Sequence, residues 1–127
     1  MCLATNQTEP LVAKKDITCY KVVYPAKAGD GVFHSEFRNF EYSLGTRYAE
    51  KEFPGTVAVH AVHKGFHSYR TIEVARIRES APLVLLKCVI PKGSRYYESY
   101  TRDQYCSDTL IPVAWKPLWK GKWSAEP

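Results

Sequence analysis

Two short stretches of this chain set positive charge beside aromatic rings, the combination that holds a phosphate-bearing molecule with a planar ring. In "KGFHSYRT", Lys64, His67, Tyr69 and Arg70 fall close together. In "PKGSRYY", Lys92 and Arg95 flank a turn, and Tyr96 and Tyr97 follow it. Ammonium and guanidinium groups neutralise phosphate oxygens, while guanidinium and phenol faces stack on flat ligands. Each stretch also has a plainer reading. The first resembles a capped helix start, where free N–H groups attract anions. The second is an ordinary turn, because Pro91 ends a strand and Gly93 completes the bend. The binding function expected here requires the two turns, distant in sequence, to meet as one receptacle for anions.

Other chemistries find less support in the residues. His60, His63 and His67 are neighbours in sequence, but the alternation of "TVAVHAVH" points His60 and His63 to opposite faces of a strand. No carboxylate lies between Thr56 and Thr71 to orient them, so no metal site is expected. Cys2, Cys19, Cys88 and Cys106 form no Cys-x-x-Cys pair and no disulfide-like spacing. Cys19 and Cys88 sit inside apolar runs and read as buried thiols. There is no nucleophile elbow, and no pair of carboxylates stands out as acid and base. The expectation is a non-enzymatic protein without a cofactor.

The last motif is "VAWKPLWKGKW". Trp115, Trp119 and Trp123 recur every fourth residue with lysines between them, but Pro117 and Gly121 break a helix there. Tryptophan is seldom left in water, which leaves two readings. The segment lies back over the body, or it docks on a protein partner or a second copy and so completes a pocket.

The elements that must position these residues follow from periodicity. "ITCYKVVY" is rich in β-branched and aromatic residues and stops at Pro25, a strand signature. "LVLLKCVI" is a continuous apolar run, which predicts a central strand buried on both faces. "HSYRTIEVARIRES" is the best helix candidate, with Ser68 or Thr71 as N-cap and Ser80-Ala81-Pro82 as its end. The first sixteen residues read as an irregular lead-in. The predicted architecture is a single α+β domain over residues 1–113, a mostly antiparallel sheet of five to seven short strands with one main helix packed on it. Residues 114–127 form a separate Trp- and Lys-rich tail. A net charge of +5 suits an anionic partner, but the basic residues are dispersed and argue against a nucleic-acid arm. No apolar run is long enough to cross a bilayer and no signal peptide opens the chain, so a cytoplasmic protein is expected.

In the order "ITCYKVV", "FEYSLGTRY", "KGFHSYRTIEVA" and "KCVIPKGSRYYES…YCSDTLIPV", the chain resembles a family of small uncharacterised proteins encoded by bacterial viruses and prophages. The match runs from Cys2 to Val113; it implies a phage-type origin and transfers no catalytic residue. That origin adds a second expectation, a virion-structural or host-interaction component docking through the tail. The tyrosine-bearing first strand, the glycine turn into "EVA" and the later "VIP" strand also resemble ADP-ribosyltransferase-like folds. That resemblance implies a late catalytic glutamate, for which Glu98 in "YYES" is the candidate, although an E-x-E pair is absent.

Overall fold

In the computed structural model, residues 3–26, 31–35, 40–57, 61–76, 83–118 and 121–126 are described. The chain is a nearly all-antiparallel sheet protein, which overturns the α+β expectation. Its strands are β1 (Leu3–Ala4), β2 (Leu11–Val12), β3 (Ile17–Tyr24), β4 (Phe33–Ser35), β5 (Glu41–Tyr42) and β6 (Tyr48–Ala49). They continue with β7 (Ala61–Val62), β8 (Phe66–Tyr69), β9 (Val84–Ile90), β10 (Arg95–Glu98), β11 (Gln104–Ser107) and β12 (Thr109–Pro117). Ten of them join one sheet in the order β2-β10-β11-β8-β3-β9-β12-β6, with β4 and β5 branching from β3. β1 pairs only with β7.

The main helix is absent for a local reason. "FHSY" alternates between the two faces of the sheet and pairs residue for residue with β11, from Gln104↔Tyr69 to Ser107↔Phe66. Arg70 extends that ladder by donating its N–H to the Asp103 carbonyl at 2.9 Å. Thr71 is still extended (φ −130°, ψ 160°), and its hydroxyl caps Val74 N of the single helical turn α1, Ile72–Ala75. The rest of the predicted helix, residues 77–80, lies outside the described residues. The lead-in also differs from expectation, since β1 and β2 lie within it. Two-residue strands are too short to show a period.

β9 is the spine. It pairs with β3 from Ile17↔Ile90 to Val23↔Val84, and with β12 on its other edge. Val84, Leu86, Cys88 and Ile90 face one side with Cys19, Val23, Phe33, Tyr42, Phe66, Tyr105 and Leu110. Leu85 faces the other side with Val22, Ala75, Leu83 and Leu118. On that second side, Leu3, Phe53, Val57, Val62, Tyr97 and Cys106 form a separate cluster. A run buried on both faces is what a central strand requires.

β12 runs through the expected boundary at residue 113, so the start of the tail belongs to the sheet. The register shifts between Pro112 and Ala114, the kind of irregularity that tolerates a proline within a sheet. Beyond it the chain folds back: Trp115 and Ser124 exchange both backbone hydrogen bonds at 2.9 Å. Trp123 stacks on Tyr20 with ring centroids 6.0 Å apart, and the ammoniums of Lys87 and Lys116 stand 4.5 and 4.9 Å from its ring. Trp115 packs against Phe33. The partner-docking surface expected of Trp115 and Trp123 is thus directed at their own sheet; Trp119 lies outside the described residues. No helix among the described residues is long and apolar enough to cross a membrane.

Gly65 admits β8 to its place. A Cβ there would stand 2.6 Å from Cys106 Sγ and 2.9 Å from Phe53 Cε1, and φ is +137°. Gly65→Ala is expected to cost about 3 kcal/mol, combining backbone strain with overpacking. At Gly45 (φ +82°, open surroundings) the same change should cost only about 1 kcal/mol. Urea denaturation of the two variants measures the difference.

Candidate functional site

The ladders around β11 decide where the two basic turns go. β11 lies between β8 and β10, pairing Tyr105 with Ser68 and with Glu98. Arg70 therefore stands beside Asp103 at one end of β11. Arg95 stands at the other end, where Asp108 N donates to its carbonyl at 3.0 Å. Five residue steps along the strand separate Asp103 from Asp108, about 17 Å. The common receptacle expected from the sequence does not form.

The far end is electrostatically closed. Arg95 donates from N and Nε to the Asp108 carboxylate at 3.1 and 3.2 Å. Its guanidinium also lies 5.4 Å from the Phe53 ring. Lys64 forms an ion pair with Glu52. Lys92 is exposed, and its backbone N–H donates to Asp16 Oδ1 at 2.8 Å. A surface depression of about 240 Å³ beside Lys64 has a mainly apolar floor of Pro54, Val57, Ala61 and Val62. Nothing at this end adds up to an anion site.

The pleat separates the predicted ligands again, because successive residues of a strand face opposite sides. Tyr97 is wholly buried against Phe53 and donates its hydroxyl to the Pro54 carbonyl at 2.8 Å. Tyr69 packs into the cluster of Val22 and Ala75. His67 is buried, with Nε2 3.2 Å from the His63 carbonyl and 3.7 Å from Cys106 Sγ. The cysteine–histidine contact, invisible in sequence, looks like a nucleophile and its base. The carbonyl argues otherwise: it only accepts, so Nε2 carries the proton and is not a base for the thiol. The thiol instead lies 3.6 Å from the Lys64 carbonyl, to which it donates. Cys19 and Cys88 face each other across β3 and β9, and burial pushes the Cys19 thiol up to about 11 and the Cys88 thiol higher than usual as well. None of these thiols is poised to react.

What remains is the Arg70 end, where an exposed guanidinium borders the buried core face. Tyr96 and Glu98 alternate onto the same face of β10, Tyr105 stands opposite Glu98 on β11, and Ser68 lies on that face of β8 with Arg70 just past the strand's end; Tyr105 and Ser68 are buried. The Tyr96 and Tyr105 rings meet edge to face at 5.8 Å. Burial raises both phenol pKa values; the Glu98 carboxylate reinforces the rise and the Arg70 guanidinium opposes it. Arg70 is exposed and donates from Nη1 to the carbonyl of Arg102 at 3.3 Å. Among the described residues, neither arginine meets a carboxylate, and the Glu98 side chain has no hydrogen-bond or ion-pair partner.

The β10–β11 hairpin tip presents Arg102 rigidly. Ser99 Oγ donates to Asp103 Oδ1 at 2.8 Å and accepts from the N–H groups of Asp103 and Gln104. Thr101 also bonds Asp103 Oδ1, and Arg102 N donates to the Ser99 carbonyl at 2.8 Å. This closure forces Arg102 to φ 62°, the left-handed region where glycine or asparagine normally sits. Of the binding residues singled out in the sequence, the structure leaves Arg70 at this end and disperses the rest, Tyr96 standing next to Arg95 toward the other end. Arg102 and Tyr105 were missed. The only signal for Arg102 was a short polar loop between two tyrosine-rich strands.

No cluster of three or more histidine, cysteine, aspartate or glutamate side chains arranged for a metal occurs among the described residues. Compared with family models, curated proteins and solved structures, the chain matches none.

The Thr101 and Ser99 hydroxyls hold the Asp103 carboxyl below its ordinary 3.8, against a smaller opposing effect of burial. A depressed folded-state pKa contributes stability that is complete above the ordinary value and lost as pH falls through the folded one. Asp103→Ala should therefore lower the urea midpoint at neutral pH, and the gap to the parent should narrow as pH falls below the ordinary aspartate value of 3.8.

Proposed function

We propose that this protein is a non-enzymatic, phage-type binding protein that holds a phosphate-bearing small molecule at the Arg70 end of β8, β11 and β10. One observation carries the reading. The exposed Arg70 donates to the main-chain carbonyl of Arg102, and neither arginine meets a carboxylate among the described residues. A guanidinium without a carboxylate partner favours an anion beside it. The exposed Tyr100, at the same hairpin tip, adds an aromatic ring to this end. The strained backbone of Arg102 supports the same reading, because a left-handed arginine costs about 1 kcal/mol that glycine would not. Retention of such strain fits a functional demand on the side chain. Docking through the tail has less in its favour, since Trp123 already covers Tyr20.

Calorimetric titration with inorganic pyrophosphate tests the proposal. Arg70→Ala should weaken binding about tenfold or more, the scale of a charge-assisted hydrogen bond. Arg102→Gly should weaken it comparably while leaving the urea midpoint level or higher. Arg95→Ala, at the neutralised end, should change affinity little. Pyrophosphate that fails to bind, or that binds regardless of Arg70 and Arg102, would overturn the proposal.

A further inference from the structure

Cys19 and Cys88 face each other directly across β3 and β9, both wholly buried in one core. The neighbouring ladders fix how wide that pair is. Arg70 N donates to Asp103 on β11, so the backbone of Tyr69 turns the other way and pairs with Tyr20 of β3. Tyr20 is thereby committed to β8, and the backbone of Cys19 faces β9. The far edge agrees: Trp115 bonds Ser124, which turns Ala114 toward Lys87 and Cys88 toward β3. Cys19 and Cys88 therefore form a hydrogen-bonded antiparallel pair, with Cα and Cβ separations each about 5.5 Å. A disulfide needs Cβ atoms about 3.8 Å apart, so the pair is too wide to close on itself without strain. Two metal–thiolate bonds of about 2.3 Å each suit the wider span.

The surroundings supply charge and a hydrogen bond. Lys21 lies on the same face of β3 as Cys19 and is half-buried. Its ammonium donates to the His67 carbonyl, lies 5.4 Å from the Tyr42 ring centroid, and meets no carboxylate among the described residues. Ser68 stands across from Lys21, only 3 % exposed, and its hydroxyl has no hydrogen-bond partner. Burial keeps both thiols protonated; Ser68 and Lys21 oppose it at Cys19, and Lys21 does so at Cys88. A neutral thiol is a weak acceptor and leaves the Ser68 hydroxyl idle, whereas a thiolate accepts its hydrogen bond.

We infer that Cys19 and Cys88 form a two-coordinate site for a soft monovalent cation, Cu(I), with Lys21 and Ser68 beside it. Binding releases one proton from each thiol and leaves a Cu(I) bis-thiolate with one net negative charge, which the Lys21 ammonium balances. Thiolates select Cu(I), and two opposed sulfurs complete its coordination. Zn(II) requires four ligands, and no third histidine, cysteine, aspartate or glutamate joins the pair among the described residues. Both sulfurs are sealed from water, so the ion enters as the chain folds or where β3 and β8 part. Among the described residues those strands pair only at Tyr20 and Tyr69, next to Cys19.

Anaerobic titration of the reduced full chain with Cu(I) held by a chromophoric chelator tests the site. The ion is supplied both to the folded chain and during refolding from urea. One equivalent should leave the chelator in at least one of these arms, and the urea midpoint should then rise. X-ray absorption of the loaded chain should report two sulfur neighbours. Cys19→Ser and Cys88→Ser, with folds checked by circular dichroism, should each abolish uptake, while the double variant Cys2→Ser/Cys106→Ser should retain it. Zn(II) should leave the midpoint unchanged. No uptake in either arm would overturn the inference, as would uptake that survives in folded Cys19→Ser or is lost in folded Cys2→Ser/Cys106→Ser. Three or more neighbours around copper in the parent chain, a measurement that needs no variant, would overturn it equally.

Discussion

The ladders that β11 makes with β8 and β10 are the constraint on which the rest of the molecule turns. They fix the end of the strands at which each basic turn emerges, and the pleat fixes the face each side chain takes. Pairing Tyr105 with both Ser68 and Glu98 puts Tyr96, Glu98 and Tyr105 on the face that carries the larger core cluster, with Arg70 just past the end of β8. The same pairing sends Tyr97, His67 and Cys106 to the opposite side, where they serve packing. A slip of one residue in either ladder would exchange these sets, because side-chain direction alternates with every residue.

Local charge balance then separates structural cations from available ones. Arg95 and Lys64 have carboxylates opposite them, and both pairs are exposed, so each adds little to stability but removes a cation from recognition. At the other end, the carboxylate nearest in sequence to Arg102, that of Asp103, is occupied by Ser99 and Thr101. The hairpin thus spends its own acid on closing the tip and leaves its arginine uncompensated.

The buried thiols show the converse case, of reactive residue types made inert. Cys19 and Cys88 lie fully buried in the face shared with Val84 and Leu86, where ionisation is disfavoured. Cys106 has an imidazole at 3.7 Å, yet the His63 carbonyl claims the imidazole's proton. Proximity of a thiol and a histidine is therefore insufficient for catalysis. The hydrogen-bond partner of the other atoms decides.

The amino-acid order was sufficient to mark "ITCYKVVY" and "LVLLKCVI" as strands, since β-branched density and an unbroken apolar run report burial directly. It also marked Pro91 and Gly93 as a turn, through their backbone chemistry. It misjudged "HSYRTIEVA", where capping signals for one helical turn overlap with a strand whose alternation is only four residues long. Long-range pairing with β11 outweighed that local preference. Arg70 was legible as a binding residue by type, but Arg102 was not chosen, and Glu98 was singled out only through the resemblance to ADP-ribosyltransferase-like folds. Which charges are neutralised, and which aromatic rings share a face, depends on strand register between segments tens of residues apart. Local propensity carries no information about such register, so tertiary structure alone decided it.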